Sequence, residues 1–391
     1  MRLRSTLLAL AMAALIAPAR IQAADPLQID VVIPLTGASA FLGKNQFDAL
    51  GIFEKMTNAA GGVRGRMIHF NIQDDQSSPQ VALQLVNGLL PHHPSLIMGF
   101  STLAECGAVT PIISSTGPLI YCFTPVSQPP SCGYVFASSV STEYMMPVQL
   151  KFFRDRGYHN IAIVTTTDAS GQQSERTLRS TIALPENASL HIVAAEHFNP
   201  TDVSIAAIVA NVKAANPDII FGVANGPAFG TLLRALHDGG VDTTVLASAA
   251  NMNYDQLAEY AGFLPKELLF NGFVFQDPST LRGSLRQQID AGLAAFRAAN
   301  VRPTVLHALA WDPSVLVIDA MRSIGPDATA TQLRDYLERL HGKAALTGVY
   351  DFRSGNQHGL NETSVIIVRW DPKTAGFTAV SGPGGLPLPK H

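Results

Sequence analysis

The sequence predicts an α/β protein built of two doubly wound lobes. Strand-like and helix-like segments alternate along the chain, a pattern typical of parallel sheets with helices on both faces. The chain has 391 residues, which is more than one hydrophobic core usually organises. No tandem repeat and no low-complexity linker breaks the alternation. We therefore expect two lobes rather than one large domain.

The N-terminal segment has the composition of a secretory signal. Two arginines precede an apolar run at residues 7–18, and the segment ends at the small residue Ala23. The run is shorter than the roughly 20 apolar residues of a membrane span. We therefore expect residues 1–23 to be a signal peptide that directs export to the periplasm. No cysteine precedes Cys106, so the chain is not expected to be a lipoprotein.

Charge argues against several classes of partner. The formal net charge is −3, and loss of the predicted signal makes it more negative, because that segment carries three arginines and no acid. An acidic protein offers no electrostatic attraction to nucleic acid or to anionic lipid. After the signal, we expect no membrane-spanning segment.

The successive elements are predicted from local patterns. The run Leu27–Ile33 predicts a strand, and the spacing of Ala49, Phe53 and Met56 predicts the buried face of a helix. Gly61 is expected to end that helix, because glycine adopts the left-handed conformation at low cost. Further strands are predicted over residues 67–73, 96–100, 119–122, 161–164, 190–194, 219–223 and 245–247, and helices from Ser78-Pro79, near 103–115 and near 142–156.

Three cysteines in an oxidising compartment predict one disulfide and one spare thiol. Cys122 and Cys132 flank a proline-rich loop and are the expected pair, which would stiffen that loop. Cys106 is then expected to be a buried, unreactive thiol. The spacing matches no common zinc site.

Several short segments together resemble a known family. Residues 58–66, followed by 74–79, are similar to a hallmark of the leucine/isoleucine/valine-type (type I) periplasmic solute-binding proteins of ABC transporters, which include a branch that binds aromatic acids. Further matching segments are residues 34–37, 101–102, 109–111, 168–172, 198–202, 215–218, 346–348 and 350–352. They follow the family order over nearly the whole chain after the predicted signal.

The resemblance implies two lobes that are joined by three crossover strands and close on a ligand like a hinge. Lobe one would comprise residues 25–139 and 276–346, and lobe two residues 140–275 and 347–380, with a loose tail at 381–391. It also implies a monomer in the periplasm that delivers its ligand to an inner-membrane ABC permease.

The loops that follow the strands are the expected site of function, because ligands of open sheets bind beyond the carboxyl ends of the strands. Ser101 and Thr102 follow a strand and open a helix, where hydroxyls and free N–H groups suit a carboxylate; a plain helix cap is the alternative. The resemblance adds Thr124 as a second carboxylate contact, with a plain turn residue before Pro125 as the alternative. It also adds Phe41 with Leu42 as a wall of the pocket, with ordinary loop packing as the alternative.

On lobe two, the resemblance places Ser170, Asn225 and Ala249 at positions where amino-acid binders carry two tyrosines and an acid. Ala249 and its neighbours up to Tyr254 supply no carboxylate. A buried ligand ammonium needs an anionic partner, so amino acids are disfavoured. The neutral amides of Asn225 and Asn251 suit a keto or hydroxyl group.

The expected ligand is therefore an aryl or aryl-keto acid. Phe41, and less directly Tyr254, would face its ring. Tyr254 and Met252 would also suit an apolar pocket wall, but core packing is the favoured interpretation of both. Branched-chain amino acids and amides stay as alternatives, since Asp168 or Glu143 would serve an ammonium if either carboxylate reached the cleft.

Catalysis, metal binding and cofactor binding are not expected. Asp74 and Asp75 are neighbours on a strand end, so their side chains point to opposite faces. His92 and His93 have no third metal ligand nearby, and the pair Trp311-Asp312 is assigned a structural role. No nucleophile elbow, phosphate loop or dinucleotide fingerprint occurs. A sensory receptor domain and a secreted hydrolase are the competing classes.

Overall fold

The structure is a computed structural model that describes residues 25–113, 115–126, 133–278 and 281–388. The predicted signal peptide lies outside the described residues. The strands are β1 (Leu27–Ile33), β2 (Ile68–Asp74), β3 (Leu96–Gly99), β4 (Leu119–Cys122), β5 (Val135–Ala137), β6 (Asn160–Thr166), β7 (His191–Phe198), β8 (Ile219–Val223), β9 (Thr244–Ala247), β10 (Leu268–Phe273), β11 (His341–Ala344), β12 (Val349–Asp351), β13 (Val365–Asp371) and β14 (Gly376–Ala379). The helices are α1 (Ala40–Ala59), α2 (Pro79–Leu89), α3 (Leu103–Val109), α4 (Thr142–Asp155), α5 (Ala169–Ile182), α6 (Ala206–Ala215), α7 (Pro227–Asp238), α8 (Tyr254–Glu259), α9 (Gly283–Ala298), α10 (Val305–Ile324) and α11 (Ala330–Arg339).

The first lobe is organised by a parallel sheet in the order β2-β1-β3-β4-β5. Successive residues of β1 point to opposite faces, as strand geometry requires. Val32 belongs to a core with Val86 of α2, whereas Val31 belongs to the core that includes Phe53 of α1. Phe53 packs edge-on against Trp311, which brings α10 to the same face as α1. The sheet is therefore covered on both faces.

The second lobe is organised by a seven-stranded sheet in the order β14-β13-β10-β9-β8-β6-β7. Strands β6 to β10 are parallel, and β13 and β14 add to the β10 edge in antiparallel orientation. On one face, Phe270 of β10 packs edge-on against Phe229 of α7. Helix α4 covers part of the opposite face.

The chain passes between the two sheets three times, after β5, after β10 and after β12. Buried Asp312 anchors the β11–β12 hairpin that precedes the third passage, because it accepts hydrogen bonds from Leu346 N (2.9 Å), Thr347 N (2.8 Å) and the Tyr350 hydroxyl (2.9 Å). The pair Trp311-Asp312 is thus structural, and α10 continues through Pro313. The two doubly wound lobes with three crossovers agree with the predicted fold class; the lobe boundaries stay predictions.

The expected pairing of Cys122 with Cys132 is wrong. Cys122 is bonded to Cys106, with a Cα–Cα distance of 6.0 Å. Both cysteines are fully buried in the core beneath α2 and α3, where α3 crosses the end of β4. The bridge therefore ties a helix to the sheet and does not staple the proline-rich loop. Cys132 lies outside the described residues.

Two smaller expectations also fail. Met56 is 40% exposed and does not share the buried face of Ala49 and Phe53. The tail is not loose from residue 381, because Ser381 is buried and its Oγ accepts a hydrogen bond from Ile367 N at 2.8 Å. Residues Pro383–Gly385 then form a short 3₁₀ turn. Within the described residues, no helix is both long and apolar enough to cross a membrane.

Candidate functional site

One cavity of about 680 Å³ is bounded by residues of both lobes. It lies at the carboxyl ends of the parallel strands, as expected for open sheets. All but one of the predicted ligand contacts line it. These are Phe41, Leu42, Ser101, Thr102, Thr124, Ser170, Asn225 and Ala249.

A row of hydroxyls forms the lobe-one wall. Ser101, Thr124 and Ser139 each lie two residues beyond the last paired residue of the adjacent strands β3, β4 and β5. Neighbouring strands are about 4.8 Å apart, so the three residues follow one another along the sheet edge. All three are buried and line the cavity. We call them the hydroxyl row.

Two polar groups of the hydroxyl row, the Ser101 hydroxyl and the Ser139 carbonyl, already have partners within the protein. Ser101 Oγ donates to Gln46 Oε1 on α1. The Ser139 carbonyl oxygen lies 3.0 Å from His358 Nδ1, in the third passage between the lobes. Sequence reasoning missed Ser139, because β5 follows a proline-rich loop and is only three residues long.

Thr102 is committed to a helix cap rather than open to a ligand. Its Oγ1 accepts from Glu105 N (3.2 Å), and its N–H donates to Glu105 Oε2 (2.9 Å). This reciprocal capping box satisfies the start of α3. The Thr102 N–H, which the sequence predicts to be free for a ligand, therefore already donates to the Glu105 carboxylate. Sequence reasoning missed Glu105, although the Thr-x-x-Glu spacing is typical of a capping box.

Glu105 and Asp75 form an acidic pair behind the hydroxyl row. Both are almost fully buried, and Asp75 Oδ2 has no hydrogen-bond partner among the described residues. Burial raises the pKa of Asp75 to about 7, and the nearby charge of Glu105 adds to this shift. Burial also raises the pKa of Glu105. The pair therefore favours retaining a proton near neutral pH.

Asp74 has a different role from Asp75. It accepts hydrogen bonds from Leu35 N (2.8 Å), Thr36 Oγ1 (2.7 Å) and Gln76 N (2.9 Å). Asp74 thereby fixes the loop that leads to α1, which supports the structural role predicted for this acid.

The predicted lobe-two contacts form a hydrogen-bonded chain. Asn225 Nδ2 donates to Ser170 Oγ (3.1 Å), and Ser170 Oγ donates to Asp168 Oδ1 (2.9 Å). Asp168 also caps α5 through Gly171 N. Asn225 Oδ1 is left without a hydrogen-bond partner among the described residues. The lobe-two wall therefore contains a buried hydrogen-bond acceptor without a partner among the described residues.

Asn251 is the predicted contact that does not line the cavity. It is fully buried, its Nδ2 donates to Ala224 O (2.7 Å) and its Oδ1 accepts from Gly226 N (3.2 Å). Asn251 therefore braces the loop that carries Asn225. Met252 is buried in the core, and Tyr254 packs against Phe377 with ring centroids 5.3 Å apart. Neither residue faces the cavity.

The aromatic ring of Phe41 lies where the two lobes approach each other. Phe41 lines the cavity, and a Cβ added at Gly226 of lobe two would lie 3.0 Å from Phe41 Cε1. Ala249 lines the cavity without any charge. The acids among the described lining residues are Glu105, Asp168 and Asp202, and these lining residues include no lysine, arginine or histidine.

Sequence comparison shows which proteins the chain is similar to. A model of a periplasmic binding protein family matches residues 26–376. The leucine-, isoleucine-, valine-, threonine- and alanine-binding protein of Pseudomonas aeruginosa is 25% identical over 304 residues, which are 76% of this chain and 78% of that protein. The Leu/Ile/Val-binding protein BraC3 of Rhizobium johnstonii is 22% identical over 88% of this chain and 91% of its own length.

Solved structures share the fold at lower identity. A branched-chain amino acid transporter substrate binding protein of Streptococcus pneumoniae, in complex with isoleucine, has a TM-score of 0.76 at 17% identity and covers 91% of this chain and 99% of its own. An ABC transporter solute binding protein of R. palustris, in complex with benzoate, has a TM-score of 0.74 at 16% identity and covers 93% and 98%.

Proposed function

This chain belongs to the periplasmic binding protein family, and we propose that it captures a small carboxylic acid with an apolar, preferably aromatic, body for an ABC uptake transporter. As a solute-binding protein it is not an enzyme. The observation that carries the proposal is the cavity bounded by both lobes, in which a hydroxyl row faces apolar walls. The proposed partner is an inner-membrane permease, and the proposed state is a monomer exported by residues 1–23.

The hydroxyl row supports an oxygen-rich ligand group. Because Ser101 Oγ already donates to Gln46 Oε1, the hydroxyls that would donate to a carboxylate or keto oxygen are those of Thr124 and Ser139, which bring no charge of their own. Ala249 offers no counter-charge for an ammonium, and Phe41 offers a ring face. The R. palustris protein that was solved in complex with benzoate shares this fold, which supports an aryl acid as the ligand.

The charge of the acidic pair, Glu105 and Asp75, affects how a carboxylate ligand binds. A ligand carboxylate beside Glu105 would meet a like charge, which is unfavourable in a buried site. Protonation of Asp75 removes one of the two negative charges behind the hydroxyl row and so lowers that repulsion. We therefore propose that an aryl acid binds together with a proton, and that its affinity decreases as the pH rises above about 7, the pKa of Asp75.

An α-amino acid is the second candidate. Asp168 and Glu105 both line the cavity, and either carboxylate would serve a ligand ammonium that Ala249 cannot. The isoleucine complex of the S. pneumoniae relative is the precedent on this fold.

A thermal-shift screen over aryl acids, keto acids and amino acids tests the proposal. A ligand that binds only the folded state raises the melting temperature by mass action. Aryl or aryl-keto acids should give the largest shifts at pH 6. A screen in which amino acids alone shift the melting temperature would transfer the assignment to the second candidate.

A further inference from the structure

We propose that the cavity continues into lobe two as a side pocket that binds the distal, hydroxyl-bearing end of an elongated aryl acid. This inference rests on the proposed function and adds a second recognition element to it. We define the side pocket by its apolar walls, Met145, Met146, Phe221, Val223 and Phe273, and its polar end, Gln149 and Asn271; all seven residues line the cavity.

The helix side of the side pocket is a single stripe of α4. Thr142, Met145, Met146 and Gln149 are spaced by three or four residues, so they lie on one helix face, and all of them line the cavity. Seven residues of α-helix span about 10 Å. The side pocket therefore extends well beyond the rim at which the two lobes meet.

The sheet side follows from the strand register. Phe221 is paired with Leu246, and Leu246 with Leu269, so these side chains share one face. Val223 and Asn271 lie two residues along their strands and keep that face. Phe270, which packs on α7, points the other way. The lining residues Phe221, Val223 and Asn271 thus face α4, about 7 Å deep along β8.

The polar end carries unused hydrogen-bonding capacity. Gln149 is 3% exposed and Asn271 is 8% exposed. Gln149 Oε1 and Asn271 Oδ1 have no hydrogen-bond partner among the described residues. Buried polar atoms are normally paired, and an unpaired one costs stability. Two buried amides at the end of an apolar pocket therefore point to a ligand group that supplies their partner.

The chemistry of that group follows from the residues that surround it. The two unpaired atoms are acceptors, so the ligand must donate a hydrogen bond. None of the seven side-pocket residues is charged, so a charged ligand group would be buried without a counter-ion. A neutral hydroxyl donates one hydrogen bond, to either Gln149 Oε1 or Asn271 Oδ1, and accepts from the amide nitrogen of the other residue. The side pocket fits the phenolic hydroxyl of a hydroxyaryl acid whose carboxylate lies on the hydroxyl row.

Calorimetry with benzoate, cinnamate and 4-hydroxycinnamate tests the side pocket. The parent protein should bind 4-hydroxycinnamate about 5- to 10-fold more tightly than cinnamate. Gln149→Met and Asn271→Leu should each remove most of that preference while leaving cinnamate and benzoate within about twofold of the parent. The control is Gln288→Met, an exposed glutamine on α9, which should change none of the three affinities.

The outcomes separate the two proposals. Each side-pocket variant should melt no lower than the parent, because it replaces an unpaired buried amide with an apolar group of similar size. A parent that binds all three acids, with variants that keep the preference for 4-hydroxycinnamate, would overturn the side pocket alone. A parent that binds none of the three acids, yet binds an amino acid, would overturn the proposed function and the side pocket together.

Discussion

The hydroxyl of Thr124 is the residue-scale feature on which carboxylate capture most depends. It is buried, lines the cavity and lies at the centre of the hydroxyl row. Thr124→Val keeps the shape of the side chain and removes the hydrogen bond. Because a hydrogen bond to a charged group contributes about 1.5–3 kcal/mol, affinity for an aryl acid should fall roughly 10- to 100-fold in a calorimetric titration. The control is Thr378→Val, at an exposed position of β14, which should leave the affinity unchanged. If both variants change the affinity equally, Thr124 is not a ligand contact.

At the residue scale, Thr102 is a weaker candidate for a ligand contact than its position after β3 suggests. Its hydroxyl and its N–H are both engaged with Glu105 in the capping box. Substitution there is expected to act mainly on helix stability, by about 1 kcal/mol, rather than on a ligand contact.

Asp75 provides a prediction on stability and pH. Its pKa is raised from 3.8 to about 7 in the folded protein, so the folded state binds more protons than the unfolded state between these values. The favourable contribution is complete below pH 3.8 and is lost as pH rises through about 7. Asp75→Asn should therefore raise the free energy of unfolding, by roughly 1–3 kcal/mol at pH 8 and by less at pH 5.

Denaturant unfolding at both pH values measures this difference. Asn retains the acceptor for Ser77 N, which bonds Asp75 Oδ1 at 2.9 Å. Asp242→Asn, at an exposed position of lobe two, is the control. A stability gain that is the same at pH 5 and pH 8 would mean that Asp75 is charged in the folded protein throughout this range.

At the scale of elements, the disulfide joins α3 to the end of β4, next to Thr124. The bridge closes a loop of 16 residues, for which the chain-entropy estimate of stabilisation is about 3 kcal/mol. Cys106→Ala should lower the free energy of unfolding by about that amount. Non-reducing peptide mapping of periplasmic material should link Cys106 to Cys122, and Cys132→Ser should leave that link intact; a peptide containing Cys122 joined to Cys132 would contradict the structure.

The elements also show what the sequence predicts well. Leu27–Ile33, Leu119–Cys122 and Ile219–Val223 are strands at the predicted residues, because continuous β-branched and apolar runs carry a strong local signal. Ser78 caps α2 and Pro79 follows it, as predicted. Most of the contacts that the family resemblance implied line the cavity, although they are a minority of its lining residues.

The missed features depend on contacts between segments that are distant in sequence. Asn251 is drawn away from the cavity because two backbone groups of the neighbouring loop take both ends of its amide. Cys106 reaches Cys122 only because α3 packs on the sheet over β4. The orientation of Asn271 toward α4 requires the strand register, which local patterns do not determine.

In the described part of the chain, residues of both lobes line the cavity, so binding should couple to closure of the whole molecule. A ligand that contacts the hydroxyl row and Asn225 together stabilises the closed arrangement over the open one by its extra contacts. Small-angle scattering should show a smaller radius of gyration with a saturating aryl acid than without it. A ligand that binds with no change in the radius of gyration would contradict hinge closure.

Side-by-side calorimetric titration of phenylpyruvate, 4-hydroxycinnamate and leucine at pH 6 and pH 8 tests the central claim most directly. An aryl acid should bind more tightly than leucine, because Ala249 leaves an ammonium without its usual counter-charge. Aryl-acid binding should be weaker at pH 8, since the acidic pair then loses its proton. Tighter binding of leucine than of both aryl acids would contradict the account and would identify Asp168 or Glu105 as the partner of a ligand ammonium.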